Sequence, residues 1–181
     1  LVHALIGIHD PSASAPLAKA IAQKWLSGAD LIEAIGALDA HAAAAQLREL
    51  VAQDDLDIDA RIAAIHALVK GDGKAAIELA GVGPRTVRRA VIDALAALPV
   101  ATLAPAAQAA QAPAAAGDLW RAVTRRAHAV PGERGDARAA ITAALAPASD
   151  YERRYRLIEG LAAIGDAEGL RAVDAALRAL P

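Results

Sequence analysis

The feature that most constrains this chain is that it repeats. Six short stretches line up: ALIGIHDPSASAPLAKAI from Ala4, AIGALDAHAAAAQLREL from Ala34, AIHALVKGDGKAAIEL from Ala64, VIDALAALPVATLAPAA from Val91, RAHAVPGERGDARAAI from Arg126 and IEGLAAIGDAEGLRAV from Ile158. Each carries an apolar pair three residues apart, a short break, and a second apolar run. The pairs are Leu5/Ile8, Ile35/Leu38, Ile65/Leu68, Ile92/Leu95, Ala127/Val130 and Ile158/Leu161, and their first members stand 30, 30, 27, 35 and 31 residues apart. Nine residues beyond each pair comes another apolar or small position: Leu17, Leu47, Ile77, Ala104, Ala139 and Leu170. Self-similarity at such a period marks a repeat architecture, and apolar spacing at i, i+3 and i+7 marks one buried helix face. Each unit therefore reads as helix A, a tight turn, and helix B. The turns fall at the breakers Asp10-Pro11, Asp39, Gly71-Asp72-Gly73, Pro99, Pro131-Gly132 and Gly165-Asp166. Neither helix of a pair can bury its face alone, but stacked pairs form one continuous core.

Composition agrees with helices throughout. About three residues in ten are alanine, far above average usage, and alanine is the best helix former. β-Branched residues are scattered rather than alternating, so the expected class is all-α. The chain has 181 residues, 56% of them hydrophobic, enough for a sizeable core. The apolar excess is not a membrane span, because the most apolar stretch, Ala90 to Ala116, is broken by Asp93, Pro99, Pro105 and Pro113. The absence of cysteine excludes disulfides, thiolate metal sites and a cysteine nucleophile. A chain that begins at Leu1 and has no methionine is expected to be a piece of a longer one. A leader segment would then lie outside the sequence, and the cytoplasm is the favoured compartment.

Three A helices, DIDARIAAIHAL, PRTVRRAVIDAL and YERRYRLIEGLAAIGD, carry a resemblance. With a period near 30, the chain resembles the HEAT repeat, in its short bacterial, PBS-lyase-type HEAT-like form. The family pattern has an arginine early in helix A and Gly-Asp at the turn. Arg61, Arg88 and Arg154 stand at the first, and Gly71-Asp72 and Gly165-Asp166 at the second. The first two units lack the arginine, and the fifth, from about Asp118 to Ala148, fits loosely. Residues 104–117 (APAAQAAQAPAAAG) read as a poor B helix or a partly disordered linker. The resemblance implies a right-handed α-solenoid of about six helical hairpins in a single domain, with units near 1–28, 29–55, 56–82, 83–116, 117–148 and 149–181. It also implies binding rather than catalysis: a scaffold or adaptor holding another protein on a concave face lined by B helices, with no cofactor or metal. The candidate contacts are polar B-helix positions, Arg48, Glu49, Lys74, Glu78, Arg138, Arg171 and Asp174.

A second reading starts from LAGVGPRTVRRAVIDAL, residues 79–95. Gly81-Val82-Gly83 before Pro84, Arg85 and Thr86 looks like the turn of a helix-hairpin-helix DNA clamp. Gly81 and Gly83 would offer N–H groups to phosphate, and Arg85, Arg88 and Arg89 would hold the strand. The repeat register instead makes this the turn between the third and fourth units, with Pro84 in the first helical turn. Charge keeps the DNA reading open: residues 80–138 hold eight arginines against four carboxylates, whereas residues 1–79 hold six cations against eleven carboxylates. Net charge is −2, however, and Trp120 is the one aromatic in the basic stretch to stack on a base.

Other chemistry is sparse. KGDGKAA (70–76) lacks the spacing of a phosphate loop and reads as a hairpin turn. His9 and His41 fall at A–B turns, where a weak metal site is conceivable but exposed turn histidines are expected. His3, His66 and His128 fall within A helices. Ser12, Ser14, Ser27 and Ser149 sit at turns and suit capping. The run Asp54, Asp55, Asp57 and Asp59 lacks the glycine and glutamate of a calcium loop and reads as a helix cap. Tyr155 is expected to pack on the last A helix. Trp25, ending the first B helix, and Trp120, starting the fifth A helix, are expected to plug the core. In the last helix, Leu170/Val173/Leu177 is the apolar stripe and Arg171/Asp174/Arg178 a salt-linked one. A lyase or glycosylase of HEAT-like build would need a cleft with placed carboxylates, such as a pocket at Trp120 with Asp118 facing inward.

Overall fold

A computed structural model describes residues 10–178 apart from 24, 26, 27, 147 and 149. The expected helix A of the first unit, with Leu5/Ile8, His3 and His9, lies outside the described residues, as do Ser27 and Ser149. Among the described residues the chain forms eleven α-helices, two 3-10 turns and no strand. The helices are α1 (Ser14–Ala22), α2 (Ala29–Asp39), α3 (Ala44–Ala52), α4 (Ile58–Gly71), α5 (Gly73–Ile77), α6 (Arg85–Leu95), α7 (Val100–Ala109), α8 (Pro113–Ala129), α9 (Arg134–Leu145), α10 (Tyr151–Ile164) and α11 (Ala167–Arg178). The breaks between A and B helices fall at the expected breakers. None of these helices is long and apolar enough to cross a membrane.

The chain divides into two compact units, Leu1–Leu95 and Ala96–Pro181. In the first, the A helices α2, α4 and α6 pack in succession, as do the B helices α1, α3 and α5. The second has the same plan, with α8 against α10, and α9 against both α7 and α11. The core of the first unit is built of large aliphatic side chains, Ile21, Ile32, Ile35, Leu47, Leu50, Ile65, Leu68 and Leu95. In the second, Leu103, Leu119, Trp120, Ile141, Leu157, Leu161 and Ile164 do this work, and alanines fill in between in both units.

Local chemistry explains the helix ends. The Asp57 side chain accepts the N–H groups of Asp59 and Ala60, and Asp150 accepts that of Arg153. Gly165 ends α10 in the left-handed conformation, φ 73°, that glycine adopts without strain. Pro105 sits inside α7, where it removes the bond to the Ala101 carbonyl. Both residues are exposed, so water can take that carbonyl.

Several expectations need correction. Residues 104–109 are a sound B helix with Ala104 and Ala107 buried, and α8 begins at Pro113, so the fifth unit starts several residues before 117. Trp120 lies in the middle of α8, not at its start. Trp25 lies beyond the end of α1 and is 76% exposed, so it plugs nothing; Tyr155 is 58% exposed and faces away from the core. Ser14 does not cap its own helix. Its buried hydroxyl donates to the carbonyls of Ile35 (3.0 Å) and Asp39 (2.6 Å), satisfying the end of α2. Ala139 and Leu170 are exposed, whereas Leu17, Leu47 and Ala104 are buried. In α9 the buried set is instead Ala137, Ile141 and Ala144.

Candidate functional site

An acidic residue stands at nearly every described A–B turn: Asp10, Asp39, Asp72, Glu133 and Asp166. Asp10 accepts the Ser12 N–H (2.9 Å), Asp39 that of Ala42 (2.9 Å), Asp72 that of Ala75 (2.9 Å) and Asp166 that of Gly169 (2.6 Å). Each supplies an acceptor for the orphan donors of the helix or turn that follows. The fourth turn has Pro99 instead, and its first B-helix donor, Val100 N–H, is taken by Glu133 of the next hairpin (2.7 Å). Glu133 also pairs with Arg126 (2.6 Å).

The same acids tie neighbouring hairpins together. His41 Nδ1 meets Asp72 at 3.0 Å and Arg138 meets Asp166 at 2.6 Å. Arg48 pairs with Glu78, and Arg138 also with Glu168. Gln53 donates to the Ala22 carbonyl (3.1 Å). These partners are separated in sequence by about one repeat. Asp10, Asp72, Glu133 and Asp166 sit below their ordinary carboxylate range for a common reason, hydrogen bonds that favour the charged form. For Asp10 the Ser12 hydroxyl is the main cause, for Asp72 the Ala75 N–H, for Glu133 the Arg126 guanidinium, and for Asp166 the Gly169 N–H.

Of the seven expected partner contacts, the fold brings Arg48 and Glu78 together and commits Arg138 to two carboxylates. Asp174 pairs with Arg178 at 2.9 Å, and Arg171 donates to the Ala167 carbonyl. Glu49 and Lys74 are exposed on α3 and α5. Among the described residues no group of three or more potential ligands could hold a metal ion, and His41 is an exposed turn histidine bound to Asp72.

At the GVGPRT turn, Gly81 and Gly83 have φ of 80° and 83°, the left-handed geometry that both readings require. Arg85 and Arg89 are exposed, while Arg88 is half-buried. The Val82 N–H is used internally, donating to the Leu79 carbonyl at 3.1 Å. Val82 itself is 42% exposed and does not anchor the turn in the core. The helix in front, α5, has only five residues. Arg61 is buried behind the turn, its Nε donating to the Val51 carbonyl at the end of α3 (2.9 Å) and its Nη1 reaching Asp54 at 3.4 Å. Such a buried arginine closes the end of the preceding B helix.

The second unit contains a cavity of about 220 Å³ between the first halves of α8 and α10, walled by Trp120, Pro113, Gly117, Arg153 and Arg156. Asp118 is fully buried, with Arg121 at 3.4 Å, and is not part of the wall, whose carboxylates are Asp150 and Glu152. The acids at the five turns other than the fourth were visible in the aligned stretches. The gathering of Trp120 with Arg153 had no signal, since the two lie in different repeats at unrelated positions.

Comparison of the chain with protein-family profiles, with curated proteins and with solved structures finds no match in any of the three.

Proposed function

We propose that the chain is a HEAT-like repeat protein whose hairpins stack as a right-handed solenoid, and that it serves as a scaffold holding another protein on its B-helix face. The observation that carries this reading is the set of links between positions about one repeat apart, such as His41 to Asp72, Arg48 to Glu78 and Arg138 to Asp166. Partners one period apart lie side by side when hairpins stack in register. The ion pairs hold B helices together, leaving Glu49, Lys74 and Arg171 as exposed charges for a partner. Binding is favoured over catalysis because Arg48, Glu78, Arg138 and Asp166 are committed to one another across hairpins, where they support stacking.

The test compares the immobilised chain with a Glu49→Lys/Lys74→Glu/Arg171→Glu variant of unchanged melting temperature. The same proteins should be retained by the first and lost by the second. Equal retention by both overturns the assignment of the face. Fluorescent single- and double-stranded DNA, titrated at low and moderate salt beside an Arg85/Arg88/Arg89→Ala variant, tests the nucleic-acid reading. Steeply salt-dependent binding abolished in that variant would establish a phosphate cradle at Gly81 and Gly83 and displace the scaffold.

A further inference from the structure

The last hairpin, α10 and α11, has an apolar edge left open to solvent. Seven large apolar side chains lie exposed among the described residues, and four of them, Tyr151, Tyr155, Leu170 and Leu177, stand on this one hairpin. Their places are fixed by what the other side of each helix touches. On α10, Gly160 faces Thr124 of α8, and Arg156 lies against Gly117. At about 100° per residue, Tyr151 stands about 180° around the helix from Gly160, and Tyr155 about 140°. On α11, Glu168 pairs with Arg138 of α9. Leu170 and Leu177 stand about 160–180° around the helix from it. The preceding hairpin shows what covers such an edge. Tyr151 and Tyr155 follow Trp120 and Thr124 by 31 residues, the spacing that separates Ile158 from Ala127. Trp120 is 4% exposed and Thr124 half-buried, both on the side of α8 where α10 packs. Tyr151, at the place equivalent to Trp120, is 76% exposed. The arginine of the repeat behaves alike. Arg61 is buried, and a Cβ on Gly83, where the following hairpin begins, would meet its guanidinium at 3.6 Å. Arg154, at the same repeat position, is half-buried, and its side chain makes no ion pair among the described residues.

We propose that two copies of this chain associate through these edges, α10 of each lying on α11 of the other about a twofold axis parallel to the helices. In the preceding hairpin this side is covered by a hairpin of the same kind, α8 by α10 and α9 by α11, and a second copy supplies one. Charge fits a copy better than a strongly charged partner. Beside the tyrosines and leucines stand Arg154 and the Asp174–Arg178 pair, a small mixed set. With α10 and α11 running oppositely at about 1.5 Å per residue, Tyr155 comes level with Leu177 of the second copy, and Arg154 comes within side-chain reach of its Asp174. Arg154 thereby gains the acid it lacks in its own chain. Covering two tyrosines and two leucines on each copy removes about 1,000 Å² from water, close to the roughly 1,200 Å² of a small stable interface before flanking atoms are added. The inference uses none of Glu49, Lys74 and Arg171, so it stands apart from the protein partner proposed for the B face.

The full chain is followed by sedimentation velocity and light scattering from about 1 to 500 μM. Its mass should rise from 18.4 kDa toward twice that value and stop there. Tyr155→Glu and Leu177→Glu, made separately, should each raise the dimer dissociation constant about tenfold or more. Both replace exposed side chains, and their melts at the lowest concentration should match that of the parent. Should either fold poorly, Leu170→Gln takes its place. Arg154→Glu should weaken the dimer about threefold or more, and Asp174→Arg in the same chain should restore most of that loss. The Glu49→Lys/Lys74→Glu/Arg171→Glu chain should dimerise as the parent does, so loss of one interface leaves the other standing. A monomer at every concentration overturns the proposal. So does growth past the dimer, which marks head-to-tail stacking, or a dimer that the edge variants leave intact. A dimer weakened by the edge variants but indifferent to the charge exchange overturns the twofold pairing of α10 with α11.

Discussion

The two compact units hold like helices together in different ways. In the first, helices meet through small residues. Gly36 of α2 abuts Ala67 of α4 so closely that a methyl at position 36 would overlap the alanine, and Gly71 meets Ala40 in the same manner. Ser14 and Arg61 then satisfy buried carbonyls, and eight large aliphatic side chains fill the space. The second unit buries Leu103, Leu119, Trp120, Ile141, Leu157, Leu161 and Ile164, and joins its hairpins through Arg138 with Asp166 and through Glu133, which reaches back to the Val100 N–H. It also keeps a cavity. The two units thus differ at their hairpin contacts, bare glycine against alanine in the first and a carboxylate shared between two hairpins in the second.

Acid should have the largest effect, since it strikes the turns of both units together. Asp10, Asp72, Glu133 and Asp166 have folded pKa values below their ordinary ones. Their stabilisation is present in full above the ordinary values of 4.5 for Glu133 and 3.8 for the aspartates, and is lost as pH falls through the lower folded values. Urea midpoints should therefore stay flat from neutrality to about pH 5 and then fall. A midpoint unchanged at pH 3 would remove the acids from the comparison.

Next comes packing. Gly36→Ala should destabilise the first unit by about 1–2 kcal/mol, the overlap with Ala67 exceeding the gain in helix propensity. Ala67→Gly in the same chain should restore most of the loss in a double-mutant cycle, and additive losses would show that the close approach is not the cause. In the second unit Glu133→Ala should cost about 1–2 kcal/mol by freeing both Val100 N–H and Arg126. The smallest effect is expected from Pro99→Asp. Alone it should be near neutral, but beside Glu133→Ala it should recover a few tenths of a kcal/mol by capping α7 from its own turn.

Much of the architecture was legible because helix periodicity and turn breakers are local signals. Ile35, Ile65 and Leu68 are fully buried where the spacing put them, and Asp57 caps α4. What was not legible depends on register or on distant partners. The constant nine-residue offset failed in α9 and α11, where Ala139 and Leu170 face outward. The role of Ser14 required knowing which helix end would lie against it. The Trp120 cavity joins residues from two hairpins, and nothing in either hairpin alone marks it.

The borrowed cap at Val100 bears on how such a chain can grow or shrink. A hairpin with its own acid, like the third or the sixth, brings its start signal with it and could be copied or deleted as a whole. The fourth opens on Pro99 and takes its acceptor from Glu133. A duplication that inserted a foreign hairpin after it, or a deletion that removed the fifth, would leave that helix start bare. The seam between these two hairpins is therefore a place where length variation should be selected against, and the two should be inherited as a pair.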